Sequence, residues 1–71
     1  MRLQELRIGS IFRFTAAGAR LAVERGVPIE GWETKTYVLD EPDEYYHYFH
    51  SVDHPDNRDY RHFGDYEVEL V

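Results

Sequence analysis

Apolar residues recur at every second position near both ends of the chain. Leu6, Ile8, Phe12 and Phe14 occupy even positions around Gly9-Ser10, with Arg7 and Arg13 on the odd ones. A period of two marks a half-buried strand. This stretch therefore predicts a first strand, bent at Gly9, where a tight turn or a bulge interrupts the pattern. At the other end Tyr66, Val68 and Leu70 alternate with Glu67 and Glu69, the cleanest inside-outside alternation in the chain. Between them, residues 34–39 and 45–52 are rich in β-branched and aromatic side chains and read as two further strands. The stretches 40–43 (Asp-Glu-Pro-Asp) and 53–57 (Asp-His-Pro-Asp-Asn) read as turns, because Pro presets φ and Asp supplies local hydrogen bonds. Residues 59–63 have the composition of one more short strand before Gly64-Asp65.

Residues 15–26 admit two readings. Thr15 can cap a helix, the alanines favour one, and Gly26 with Pro28 beyond it would end it. Against this, Gly18 weakens the interior and the apolar face of Ala19, Ala22 and Val23 is thin. The alternatives are a short helix over 16–25 or a strand-and-loop excursion, followed by a connector over 27–32. The sum is one domain, residues 1–71, of mainly β class. Its four or five short strands form a small antiparallel barrel or strongly curled sheet, with at most one short helix.

Composition narrows the means of stabilisation. A chain of 71 residues buries only about 60% of the surface that its unfolded form exposes. There is no cysteine, which excludes disulfides, thiolate metal sites and cysteine nucleophiles. Four Phe, six Tyr and one Trp remain, and each can bury roughly 150–250 Å². A dense aromatic core is expected, with dimerisation as a supplement. No apolar stretch approaches the roughly 20 residues of a membrane helix, and no apolar signal core follows the N-terminus. The simplest location is the cytoplasm.

The net charge of −6 is unevenly spread. Residues 1–39 carry six basic and four acidic side chains, net +2, whereas residues 40–71 carry two basic and ten acidic ones, net −8. Such an asymmetry repels nucleic-acid phosphates and attracts basic surfaces.

The opening Leu3-x-x-Leu6-x-x-Gly9-Ser10-x-Phe12, with the closing Glu67-Val68-Glu69-Leu70-Val71, resembles short bacterial and phage all-β proteins. It is also similar to the first strand and turn of SH3-like barrels, where a Gly lets the strand bend sharply. The resemblance covers roughly 15 residues at the two ends of the chain. It implies a small barrel and carries no activity and no catalytic residue.

The segment Tyr45-Tyr46-His47-Tyr48-Phe49-His50 is the most unusual. In a strand Tyr45, His47 and Phe49 face one way, and Tyr46, Tyr48, His50 and Val52 the other. Two aromatic faces exceed what one small core needs. Either both complete the packing of a curled sheet or one is a recognition surface, for which Tyr is well suited. All four histidines lie within residues 47–62 among carboxylates, a composition that suits Zn, Ni or Fe. The spacing does not support a site, because His47 and His50 point to opposite faces and no His-x-His pair exists. A calcium loop lacks its Gly. Nucleophilic catalysis lacks a serine within reach of a base, and Asp53-His54 is an orienting pair without a nucleophile. An aromatic strand can also stack single-stranded nucleic acid. Such platforms sit in basic grooves, though, and here Asp43, Glu44, Asp53 and Asp56 flank the strand, leaving Arg13, Arg20, Arg25 and Lys35 as the cations for a patch elsewhere.

The function expected is that of a non-enzymatic acidic interaction module, without cofactor or metal. It would bind a basic protein partner through Tyr46, Tyr48 and His50 together with Asp43, Glu44, Asp53 and Asp56. Phage- and mobile-element-type inhibitors that mimic nucleic acid work in this way. The alternatives are a homodimerising structural domain and a single-stranded nucleic-acid-binding barrel.

Overall fold

The computed structural model describes residues 1–53 and 63–71. A 3₁₀ turn at Leu3–Glu5 leads to β1 (Ile11–Phe14), α1 (Ala16–Glu24), β2 (Tyr37–Leu39), β3 (Phe49–Ser51) and β4 (Val68–Leu70). The four strands form one antiparallel sheet in the order β3-β2-β1-β4. The sheet is open: β3 and β4 are its edges, and it does not close into a barrel. The expected strand 59–63 lies outside the described residues.

Register assigns the two faces of the sheet. Phe12 pairs with Tyr37 and Leu70, Phe14 with Val68, and Leu39 with Phe49, all on the inner face, although Leu70, expected from the alternation to be buried, is 55% exposed at the end of the edge strand β4. Phe12 stands 5.9, 5.8 and 5.6 Å from the rings of Phe14, Tyr37 and Phe49, and Phe14 is 6.2 Å from Tyr66. Most of these pairs meet edge to face, an arrangement worth about 0.5–1.5 kcal/mol per pair beyond area burial. The outer face carries Ile11, Val38 and His50 in one row, and Arg13 opposite Glu69.

The helix reading of residues 16–25 holds, and its ends are built as the residue types require. Thr15 Oγ1 accepts the amide of Gly18 at 3.2 Å as the N-cap. At the other end Gly26, at φ +78°, donates to Val23 O at 3.0 Å, and Val27 donates to Ala22 O at 2.9 Å. That is the paired closure of a Schellman motif, for which glycine at C′ is the favoured residue. The thin apolar face has a physical purpose. Gly18, Ala19 and Ala22 are buried because α1 lies almost in backbone contact with the segment entering β4. A Cβ at Gly18 would stand 1.9 Å from Glu67 O. The glycine that weakens the helix interior is the one that lets the helix dock.

Three strand expectations need correction. The strand expected over 34–39 is confined to Tyr37–Leu39, because Thr34 closes a turn by donating to Gly31 O at 3.1 Å. The first strand does not run from Leu6. Ser10 donates to Arg7 O at 3.0 Å across Gly9 at φ +85°, a type II turn that demands a left-handed residue at its third position. Ile8 therefore sits at the corner of a turn, exposed, and only Phe12 and Phe14 keep the inward period. The strand expected over 45–52 is confined to Phe49–Ser51. The hairpin from β2 continues through Asp40 N to Tyr48 O at 2.9 Å and closes with Asp43 N to Tyr46 O at 3.1 Å. Tyr45 and Tyr46 thus belong to the turn rather than to the strand.

The alanine variant of Gly18 tests the close approach. Gly18→Ala is expected to destabilise the fold by at least ~2 kcal/mol, because overpacking against backbone cannot be relieved by a rotamer change. An interior helix Gly→Ala would otherwise gain close to 1 kcal/mol. Urea denaturation of the two proteins reads the sign directly.

Candidate functional site

The hairpin tip is organised by one carboxylate. Asp43 Oδ1 accepts the amides of Tyr45 at 2.9 Å and Tyr46 at 2.7 Å, and Asp43 Oδ2 accepts the Tyr48 hydroxyl. An Asp that bonds the backbone two and three residues on stabilises a turn at the expense of the strand ladder. This is why the tyrosines leave the strand. Asp43 is thus a positioning residue, with its two oxygens engaged within the tip.

From the tip an aromatic strip crosses to the segment before β4. The Tyr45 and Tyr46 rings lie 6.4 Å apart, and Tyr46 is 6.3 Å from Phe63. Arg25, just beyond α1, places its guanidinium carbon 5.2 Å from the Phe63 ring and 5.4 Å from the Tyr66 ring. The same guanidinium makes a two-pronged pair with Asp65, Nη1 to Oδ1 at 2.8 Å and Nη2 to Oδ2 at 3.1 Å. That hydrogen bonding to Asp65, and secondarily to Tyr66, raises the Arg25 pKa. The Arg25 hydrogen bond in turn holds the Asp65 carboxyl below its ordinary value. Gly64 permits the approach of the two segments, since a Cβ there would meet His47 Nε2 at 2.7 Å. Tyr45 is 75% exposed and Phe63 57% exposed, while Tyr46 between them is half-buried.

The sequence-derived site residues divide into two groups. Asp43, Tyr46 and Tyr48 are brought together at the tip, with Glu44 exposed beside them. His50 stands on the outer face of the sheet, half-buried, with Nδ1 2.8 Å from Asp40 Oδ2. Asp53 is exposed after β3, where its amide donates to Ser51 Oγ at 3.3 Å. Asp56 lies outside the described residues, as do His54, His62, Arg58 and Arg61. The His–Asp pair seen is therefore His50–Asp40, and the neighbouring Ser51 faces the opposite side of β3. Among the described residues no group of three or more His, Asp or Glu side chains is placed to hold a metal ion, and no helix is long and apolar enough to cross a membrane. Of the four cations that could have formed a basic patch, Arg13 is paired with Glu69 at 2.6 Å and Arg25 with Asp65.

Sequence reasoning missed Arg25, Phe63 and Asp65 as partners. They are about 40 positions apart, and the only local signal is a basic residue at a helix C-terminus, where it complements the helix dipole.

No protein-family model, curated protein or solved structure matches the chain. Any functional reading therefore rests on the geometry just described.

The Arg25–Asp65 pair sets an acid limit on the strip. A carboxyl whose folded pKa lies below its unfolded one stabilises the fold above the unfolded value, and that contribution is lost as pH falls through the folded value. The loss should therefore occur below about pH 4. Thermal melts between pH 6 and pH 2.5 should show a smaller acid-induced fall in Tm for Asp65→Asn than for the native chain. Equal slopes would remove Asp65 from the account.

Proposed function

We propose that the chain is a non-enzymatic interaction module that binds a basic protein partner through the aromatic and carboxylate surface at the hairpin tip. The observation that carries this reading is the strip of Tyr45, Tyr46 and Phe63, exposed at both ends and fixed from below by Asp43 and Arg25. Exposed tyrosine and phenylalanine held by packed neighbours give large contact area at low entropic cost, the property shared by residues that dominate protein interfaces. Glu44 lies beside the strip. Together with the net −8 of residues 40–71, it favours a partner rich in Arg and Lys and steers its approach. A nucleic-acid mimic of the phage-inhibitor kind is one form such a module takes. Direct stacking of single-stranded nucleic acid on the same tyrosines is disfavoured by that charge.

A homodimer is the second reading. Its support is the row on the outer face of the sheet, where Ile11 is exposed and Val71, whose amide bonds Ile11 O at 3.1 Å, is exposed beside it. Light scattering from 10 μM to 1 mM separates the two readings (concentrations on the order of those where weak interfaces populate).

Pulldown from a lysate of the native host at low and high salt tests the favoured reading. A protein partner is expected at low salt and should be lost with Tyr45→Ala or Phe63→Ala. Its retention should fall as salt screens the charges. A partner indifferent to salt would remove the electrostatic half of the proposal, and one indifferent to both substitutions would remove the surface.

A further inference from the structure

We draw no further inference here: the strongest candidate, the exposed apolar patch of Ile11, Leu70 and Val71 along the β4 edge of the sheet, carries nothing because nothing in the structure shows what covers it.

Discussion

The fold turns on the absence of one methyl group. Glu67 O accepts the amide of Thr15 at 3.3 Å and its hydroxyl at 3.2 Å, and the bare Cα of Gly18 lies over the same peptide unit. That junction seats the first turn of α1 on the strand-entering segment, and the rest of the packing follows from it. Once the helix is that close, only Ala19 and Ala22 fit beneath it, so the volume of the core must come from the sheet. Phe12, Phe14, Tyr37, Phe49 and Tyr66 supply it. The same Glu67 is bridged to Arg2, and Leu3 donates to Tyr66 O at 2.9 Å. The chain's start, its helix and its last strand therefore meet at one residue.

What could be read from sequence depended on whether the deciding interaction was local. The period of two at Phe12 and Phe14 and at Tyr66 and Val68, the Thr15 cap and the Gly26 stop were legible, because each is decided within a few residues. The extent of the strands was not. Ile8 matches the alternating pattern by position, yet a turn of four residues claims it. Tyr45 and Tyr46 have strand-forming side chains, yet Asp43 captures their amides. In both places a local turn overrode the propensity for a strand. Gly18 was legible as a weakness and not as a docking point, since its partner is about 50 positions away. The aromatic segment was found for its composition. Its companions Phe63 and Arg25 were not, because nothing near them in sequence signals the contact.

The aromatic residues divide between core and surface. Phe49 joins the inner cluster and Tyr48 is tied to Asp43, but Tyr45 and Phe63 remain largely in water.

Arg25 joins these two sides of the molecule. Its guanidinium is held by Asp65 in a planar fork, with its carbon 5.4 Å from the ring of Tyr66, in the core, and 5.2 Å from that of Phe63, at the surface. A lysine would keep the charge but lose the fork. The residue that closes α1 thus also sets the position of the aromatic strip. A disturbance of the helix end would reach Phe63 through Arg25, whereas Tyr45 is positioned by the Asp43 turn. The strip therefore has two supports, one from the helix and one from the hairpin, which meet where Tyr46 lies 6.3 Å from Phe63. Its Phe63 end is tied to the junction at Glu67 twice, through the helix end and through the short segment from Phe63 to Glu67, which the N-terminal amides of Leu3 and Gln4 also hold.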